Sequence, residues 1–428
     1  MEQPTGIRWR VLVLLAIVSF VSYVLRYNIS IASTAMKADL HLTEQQLGYI
    51  LAAFTAGYTI FQFPGGVFGL KLGPRRAMTI IAVLWGLLTL LTSGVPAGAG
   101  TAATMIMLIG VRFLVGAVHA PIYPLTGGVV ERWFPIGRWA LPNGLSSAAL
   151  TLGVAATGPV LPYMLDRYGW RASFLMLAPL GFAAAFLWWW YVRDRPAEHP
   201  GVNDGEAALI AANRPANRPA TVEPVGRRPG WLRVLGSRDM LLLTLSYFCM
   251  NYIFGLMFNW IYYYLVEVRE FDPRIAGYAT SVQWIAGATG AALGGLVCDG
   301  LCRRYGVRWG CAWPAASGLV LSGVFLLIGA VSGDPHVAVI CLALSFLSNQ
   351  MTEGAFWAGG ISIGGRNAAA ACGVLNTGGN SAGFVNALLV PFTAKALGWT
   401  AAMVTGTLFA FAAAALWLFI RAEKTVPD

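Results

Sequence analysis

Charged side chains are scarce in this sequence. Asp, Glu, Lys and Arg make up 11% of its 428 residues, against roughly a quarter in an average soluble domain. Hydrophobic residues make up 57%, which is more than a soluble core would bury. The scarcity of charge therefore excludes an ordinary soluble domain and favours a membrane protein.

The sequence also lacks the short alternating segments that are typical of membrane β-barrels. Instead, apolar runs of about 20 residues recur, each long enough to cross about 30 Å of hydrocarbon as a helix. Because lipid offers no hydrogen-bonding partner to the backbone, such runs have to be helical. The sequence thus predicts an all-α membrane protein. We predict twelve transmembrane helices, at residues 11–33, 45–68, 77–95, 103–130, 140–163, 171–192, 239–266, 275–298, 310–331, 337–359, 369–394 and 400–420.

Signatures of several enzyme and pump classes are missing. The chain has no Gly-x-x-x-x-Gly-Lys-Ser/Thr loop, which argues against a self-contained ATP-driven pump. A membrane enzyme would need a paired nucleophile and base or a metal triad, and His119 and Glu353 fall on distant predicted helices. A nutrient receptor should carry an added signalling domain. We therefore predict no enzymatic activity and keep a receptor or membrane enzyme as a remote alternative.

Cysteine is sparse, and its six positions indicate no disulfide framework. Cys298 and Cys302 have the i, i+4 spacing of one helix face, which would suit two ligands of a metal ion. The sequence places no third ligand beside them. We interpret these cysteines as small packing residues, and we predict neither a metal site nor a cofactor.

The distribution of Lys and Arg predicts the orientation, because these residues are retained on the cytoplasmic side of short loops. With both termini cytoplasmic, 21 of the 29 lie inside and two lie in predicted helices. The six outside are Lys37, Arg167, Arg171, Arg269, Arg274 and Lys395. This bias explains the net charge of +10 without nucleic acid. We predict a multi-pass monomer of the inner (plasma) membrane, in contact with lipid and with both termini cytoplasmic.

A polar, proline-rich stretch interrupts the apolar pattern at residues 193–238. We interpret it as a cytoplasmic linker between two six-helix bundles, residues 1–192 and 239–428. An internal echo supports this division, since residues 66–76 and 295–306 both form a Gly-rich helix end followed by a basic turn. Transporters built from joined repeats show such weak internal symmetry.

A series of different short motifs occurs along nearly the whole chain. They include Arg26-Tyr27-Asn28, Gly57-Tyr58, Phe61-Gln62, Arg112-Phe113, Trp133-Phe134-Pro135, Gly169-Trp170-Arg171, Phe356-Trp357 and Leu375-Asn376. These motifs and their order resemble those of the major facilitator superfamily. The resemblance is to its anion:cation symporter family in particular, which includes hexonate and hexuronate carriers, sialin and vesicular glutamate transporters. The resemblance implies a substrate cavity between two bundles that opens alternately to each side. It further implies organic anions as substrates and H+, or less often Na+, as the coupling ion.

Two arginines lie well inside predicted helices. Arg26 and Arg112 would each cost roughly 2.5–3.5 kcal/mol at the bilayer centre, and such a cost suggests a function. Guanidinium stays charged and binds a carboxylate through two parallel hydrogen bonds. The resemblance places the matching arginines in the central cavity, so we predict that both bind the anion. A structural role, capping carbonyls or locking a helix pair, stays open for each.

Two positions depart from the pattern that the resemblance implies. The aspartate expected before Arg26 is Leu25, and the glutamate expected seven residues after Arg112 is His119. These carboxylates are the implied proton carriers. The aspartate of the first cytoplasmic motif is likewise Leu70, which predicts a weaker latch in the first half.

Two side chains are candidates for proton coupling instead. His119 lies on the same helix face as Arg112, and an imidazole titrates near neutral pH. A guanidinium would disfavour its protonation and a bound carboxylate would restore it. A neutral histidine that hydrogen-bonds to substrate or to a neighbouring helix is equally open. Glu353 is an acidic residue deep inside a predicted helix, where ionisable groups are costly and often functional.

The remaining site candidates are placed by the family motifs or by helical spacing. For the substrate site they are Tyr27, Tyr58, Gln62, Tyr123, Asn251, Tyr263, Asn376 and Asn380. For a cytoplasmic gate or latch they are Glu131, Arg75, Arg76, Asp299 and Arg303. A structural role stays open for each of them.

These features together predict a secondary active transporter that moves a small organic anion, a carboxylate, by alternating access. The resemblance favours uptake coupled to protons. Because Leu25 and His119 replace the expected carboxylates, a uniporter or an anion exchanger without proton coupling is the alternative.

Overall fold

The chain divides into two compact units. The computed structural model describes residues 2–96, 101–135, 140–211, 234, 236–365 and 368–424. The first unit comprises Met1–His41 and Ala56–Val222, and the second comprises Leu42–Thr55 and Glu223–Asp428. Residues 42–55 thus belong to the second unit, whereas the predicted first bundle, residues 1–192, includes them. The predicted bundle boundaries stay a prediction.

The first unit is helical throughout its described part. Its helices are α1 (Ile7–Asp39), α2 (Glu44–Leu72), α3 (Pro74–Ser93), α4 (Thr101–His119), α5 (Ile122–Trp133), α6 (Ala140–Tyr191) and α7 (Asp204–Ala211). Helix α2 begins in the second unit and continues into the first. A 3₁₀ turn, Pro196–Glu198, lies between α6 and α7.

The second unit is also helical in its described part. Its helices are α8 (Arg238–Gly255), α9 (Ile261–Tyr263), α10 (Pro273–Val331), α11 (Pro335–Gln350), α12 (Glu353–Gly364), α13 (Ala368–Leu397) and α14 (Trp399–Trp417). Two π-helical turns, Leu256–Trp260 and Tyr264–Val268, flank α9. Such turns are often found at functional sites.

Eight helices in the described residues are long and apolar enough to cross a membrane. The all-helical membrane architecture is therefore confirmed. Two of the eight, Leu145–Tyr191 and Pro273–Val331, contain 47 and 59 residues, which is more than twice the length of about 20 residues that one span needs. The number twelve and the cytoplasmic location of the termini stay predictions.

Four glycines between long helical segments share one backbone conformation. Gly73, Gly169, Gly306 and Gly398 have φ of 78, 73, 77 and 87° and ψ of 155, 169, 167 and 164°. This region of positive φ and extended ψ is essentially restricted to glycine. It interrupts the helical geometry inside α6 at Gly169 and inside α10 at Gly306. Each glycine therefore marks a turn between two helical segments.

Close backbone contacts position the helices that carry the polar residues. A Cβ atom on Gly57 of α2 would overlap the carbonyl oxygen of Phe113 on α4. A Cβ on Gly153 of α6 would likewise overlap the carbonyl oxygen of Phe20 on α1. Helices in lipid associate through such small residues. The first contact brings the helix of Tyr58 directly against the helix of Arg112.

The first part of the linker is structured and attached to α1. The carboxylate of Glu206, on α7, accepts hydrogen bonds from the backbone N–H of Ile7 (2.9 Å) and Arg8 (3.0 Å) and from the hydroxyl of Thr5. Its Oε1 also pairs with Arg8 Nη1 at 3.1 Å. Linker residues 212–233 and 235, including the proline-rich part, lie outside the described residues.

Candidate functional site

Arg26 is surrounded by tyrosines in the first unit. Its Nη1 donates a hydrogen bond to the hydroxyl of Tyr23 (3.1 Å), and the hydroxyl oxygens of Tyr23 and Tyr123 lie 3.0 Å apart. The Cζ atom of Arg26 lies 5.0 Å from the ring centre of Tyr23 and 4.9 Å from that of Tyr58. These distances allow cation–π attraction. We call Arg26, Tyr23, Tyr58 and Tyr123 the tyrosine cage.

Helix α2 contributes two of the predicted site residues to this cage. Tyr58 forms hydrogen bonds with Arg26 and with Gln62, which lies one turn further along the same helix. The Tyr58 side chain is 2% exposed, whereas Tyr123 is 43% exposed. The structure therefore brings the predicted residues Arg26, Tyr58, Gln62 and Tyr123 together. It adds Tyr23, which was not predicted, although its i, i+3 spacing to Arg26 would have placed both on one helix face.

Arg112 is the second charge of this site. Its side chain is 3% exposed, and its positive charge interacts with that of Arg26. Two like charges inside apolar helices repel each other, and this repulsion is relieved when an anion binds between or beside them. The predicted residue Tyr27 follows Arg26 and is fully buried.

His119 makes contacts of a structural kind. Its Nδ1 lies 2.8 Å from the carbonyl oxygen of Val115, and its Nε2 lies 3.2 Å from the carbonyl oxygen of Ser22 on α1. The ring stacks on Trp85 with a centroid distance of 4.9 Å. The side chain is 1% exposed. This geometry is the one expected for a histidine that links neighbouring helices, while its role in coupling stays a prediction.

Glu353 is held by two aromatic donors in the second unit. Its Oε1 accepts hydrogen bonds from the Tyr247 hydroxyl (2.8 Å) and from Trp357 Nε1 (2.7 Å). Trp357 lies one turn after Glu353 on α12, and Tyr247 comes from α8. Asn251 Nδ2 donates to the carbonyl oxygen of Tyr247 at 2.9 Å. The predicted residues Glu353 and Asn251 are thus joined through Tyr247, which sequence reasoning missed because its partner lies 106 residues away.

Helix α13 approaches this group through a glycine. A Cβ on Gly379 would lie 2.9 Å from Asn251 Nδ2 and would overlap the ring of Tyr247. Next to that contact, Asn380 Nδ2 donates to Asn376 Oδ1 at 2.9 Å. The four predicted residues Asn251, Glu353, Asn376 and Asn380 therefore occur on three helices that meet at Tyr247.

Tyr263 makes different contacts from the other predicted binding residues. Its hydroxyl donates to Glu44 Oε1 at 2.9 Å. Its ring packs against Trp399 at 5.2 Å and Trp260 at 6.0 Å. These contacts indicate a packing role, and binding of substrate by Tyr263 stays a prediction.

Asp194 connects two of the basic residues near the predicted gate. Its Oδ1 accepts from the backbone N–H of Arg75 (2.9 Å) and lies 4.0 Å from Arg132 Nη1. The Arg75 side chain donates to the carbonyl oxygen of Trp189 and covers the Trp189 ring at 4.1 Å. Asp194 falls in the predicted linker, and the sequence does not predict this contact. The only signal was a carboxylate between Arg193 and Arg195.

The other predicted gate residues are exposed. They are Arg76, Glu131, Asp299 and Arg303. Their role in a gate or latch stays a prediction, and the Leu70 side chain lies outside the described residues.

Comparison with known proteins settles the family. Residues 15–384 match the sequence profile of the Major Facilitator Superfamily. The chain belongs to the Major Facilitator Superfamily. The predicted membership is thereby confirmed, as is the prediction that the protein is a transporter of this superfamily and not an enzyme.

Relatives of this superfamily member are named as transporters or probable transporters of organic anions. A probable sulfoacetate transporter of Cupriavidus necator is 29% identical over 433 residues, covering 100% of this chain and 97% of the relative. A probable galactarate/D-glucarate transporter of Escherichia coli K12 is 29% identical and covers 81% of this chain and 78% of the relative. A hexuronate transporter of Bacillus subtilis is 26% identical and covers 96% and 94%.

A solved structure shares the fold. A bacterial homologue of the human lysosomal transporter Spinster, crystallised in an inward-facing and unoccupied conformation, has a TM-score of 0.80. The match covers 97% of both chains at 14% identity. It supports the major facilitator fold alone.

Proposed function

We propose that this protein is a secondary active transporter that takes up a small organic anion by alternating access, with protons as the coupling ion. The observation that carries the proposal is the pair of positive charges, Arg26 and Arg112, inside apolar helices of the first unit. An anion that binds there would relieve their repulsion. The tyrosine cage supplies hydroxyl groups beside the guanidinium group of Arg26.

The proposed substrate carries a carboxylate or sulfonate group. A guanidinium group offers a planar set of donors that fits two oxygens of such an anion at once. The relatives are named for sulfoacetate, galactarate or D-glucarate, and hexuronate, which all carry an acidic group. Sulfoacetate and D-glucarate are therefore the first anions to test on this protein.

We further propose twelve spans in two repeats, in the plasma membrane. The four glycines of matching conformation support this arrangement. Gly73 and Gly169 are 96 residues apart in the first half, and Gly306 and Gly398 are 92 apart in the second. The second glycine of each half is followed by tryptophan, Trp170 and Trp399. Such correspondence is what joined repeats of six spans would produce.

For proton coupling we favour Glu353 over His119. A carboxylate that accepts hydrogen bonds from two neutral donors, Tyr247 and Trp357, retains one oxygen that can take a proton. His119 is 1% exposed and stacks on Trp85, whereas Glu353 is partly exposed and can exchange a proton more readily. Exchange or uniport without protons remains the second candidate, because Leu25 stands where the resemblance implies a carboxylate.

The substitution Arg112→Ala or Arg26→Ala tests the anion site. We expect either variant to lose the rise in melting temperature that sulfoacetate or D-glucarate gives the wild-type protein, because a ligand stabilises only a state that binds it. Arg304→Ala is the matched control, since Arg304 is exposed and packs on the neighbouring Tyr305 ring.

Two results would count against the site. One is an unchanged ligand-induced shift in both arginine variants, which would make the arginines structural. The other is the same loss in Arg304→Ala. Size-exclusion profiles of each variant, compared with the wild type, report whether the variant is folded.

A further inference from the structure

The structure assigns a metal site that the sequence analysis did not predict: we propose that Cys298, Cys302 and Cys311 bind one Zn²⁺ ion. Their sulfur atoms form a nearly equilateral triangle, with Sγ–Sγ distances of 3.9 Å (Cys298–Cys302), 3.9 Å (Cys298–Cys311) and 3.7 Å (Cys302–Cys311). All three lie in the second unit, and we call them the cysteine triad.

The turn at Gly306 supplies the third ligand. Cys298 and Cys302 lie one helical turn apart on the segment of α10 before Gly306, and Cys311 lies on the segment after it. Gly310 permits the close approach, because a Cβ there would overlap the backbone of Cys302. A spacing of i, i+4 is visible in sequence, whereas this reversal of the chain is not.

The triangle has the size that zinc requires. With Zn–S bonds of about 2.3 Å in tetrahedral geometry, neighbouring sulfurs lie about 3.8 Å apart. The observed distances of 3.7–3.9 Å therefore need little adjustment. Three thiolates leave the fourth tetrahedral position for water or a small anion.

The surroundings allow a cation to enter and be retained. Cys298 and Cys311 are 2% and 0% exposed, while Cys302 is partly exposed and gives the ion a way in. Binding would release up to three thiol protons to solvent, and three thiolates with one Zn²⁺ leave a net charge of −1. Arg303 and Arg304 follow Cys302 directly and would offset this charge.

Packing of three small apolar residues is the competing explanation. Cys298 and Cys311 do belong to a buried cluster with Leu319 and Phe356. Packing alone does not require three sulfur atoms to converge from two chain segments. Thiolate ligands also select zinc and other soft cations over the hard cations that prefer oxygen.

Zinc titration of the full-length protein in detergent, with a reductant that does not bind metal, tests the proposal. We expect one Zn²⁺ per chain, and with Cd²⁺ as a probe a thiolate-to-metal absorption band in the ultraviolet. Cys311→Ser should lose the stoichiometric site and the band. Cys372→Ser is the matched control and should retain both, because Cys372 lies outside the triad.

Alkylation of the wild-type protein keeps the test independent of how the variants fold. Zn²⁺ should slow maleimide labelling of Cys302 but not of Cys372, which is also partly exposed, as measured by peptide mass spectrometry. Equal labelling with and without Zn²⁺ at both cysteines would overturn the proposal. So would wild-type stoichiometry and an unchanged Cd²⁺ band in Cys311→Ser. Neither result depends on anion transport, so the proposal stands or fails separately from the proposed function.

Discussion

Glu353 and His119 differ in what their side chains contact, and the difference bears on proton coupling. Glu353 meets the hydroxyl of Tyr247 and the indole N–H of Trp357, which are groups that can donate to either form of the acid. His119 is 1% exposed, stacks on Trp85 and contacts the carbonyl oxygen of Ser22 on α1, so its contacts are those of a link between helices. Under the proposed coupling, a proton on Glu353 and the bound anion would each raise the affinity for the other, because such linkage is reciprocal.

The substitution Glu353→Gln should therefore flatten the pH dependence of anion affinity. The amide oxygen of glutamine can keep the hydrogen bonds from Tyr247 and Trp357, so the fold should be retained while the ionisable group is lost. Affinity is measured by the ligand-induced melting shift between pH 5 and pH 8, where wild-type affinity should rise toward acid pH. His119→Gln is the companion variant and should keep the wild-type pH profile. The reverse pattern, with a flat profile only in His119→Gln, would assign coupling to the histidine.

At the scale of residues, the charges of the candidate site are visible in the sequence, but most of their partners are not. A charge such as Arg26 or Arg112 is visible because it interrupts an apolar run. Its partners are less visible: Tyr123 is 100 residues from Tyr23 in sequence, and nothing local indicates their contact. The same limit hid Tyr247 beside Glu353, whereas the reversal of the chain at Gly306 hid Cys311 beside Cys302.

At the scale of elements, α7 acts as a cap for the start of α1. The backbone N–H groups of a helix's first turn lack partners within the helix, and the residue before α1, Gly6, has no side chain to bind them. The carboxylate of Glu206, in the linker, accepts hydrogen bonds from two of these N–H groups, those of Ile7 and Arg8. Burial would raise the pKa of Glu206, but hydrogen bonds from the Arg8 backbone, the Thr5 hydroxyl and the Ile7 backbone lower it below its usual value.

This contact should make stability depend on Glu206 and on pH. Because the folded pKa is lowered, the carboxylate stabilises the fold above the pKa of the unfolded chain, and this contribution is lost as pH falls through the folded pKa. Glu206→Gln should destabilise the protein by about 1–3 kcal/mol near neutral pH, with a lower melting temperature by tryptophan fluorescence. The difference in melting temperature between this variant and the wild type should shrink in acid.

Glu198→Gln is the control, since the Glu198 side chain is 50% exposed. Equal melting temperatures of Glu206→Gln and wild type at pH 7 would contradict the capping role.

The glycine turns allow a second prediction at the scale of elements. Gly306→Ala places a Cβ in a backbone region that side chains rarely adopt, and it should cost about 1–3 kcal/mol. No atom lies within 4 Å of that Cβ, so the cost is conformational and not steric. Gly300→Ala, on the same helix and equally open, is the control and should be neutral or stabilising by up to about 1 kcal/mol. Melting temperatures that fall equally in both variants would argue against the turn.

For the whole molecule, composition already determines the class of fold, because 57% hydrophobic residues in long runs leave few alternatives to a helical bundle in lipid. The number of spans is harder to count. The chain is helical on both sides of Gly169 and Gly306, so α6 and α10 each continue through a turn. The number of helices is therefore not the number of spans. The membership of residues 42–55 in the second unit was not visible either, because it depends on contacts that α2 makes far along the chain, such as Gly48 with Pro391.

The coupling of transport to protons is a property of the whole molecule, and purified protein in proteoliposomes can test it. If protons move inward with the anion, a vesicle interior that is more alkaline than the medium should accumulate labelled sulfoacetate or D-glucarate above its external concentration, and a protonophore should abolish the excess. Reversing the pH gradient should drive the anion out. The presence of Glu353 in the second unit and of Arg26 and Arg112 in the first unit motivates this expectation, since each half would then contribute one part of the cycle. Liposomes without protein are the control. Rapid counterflow of anion with no response to a gradient of either sign would instead identify an exchanger or uniporter, and it would leave the anion site itself intact.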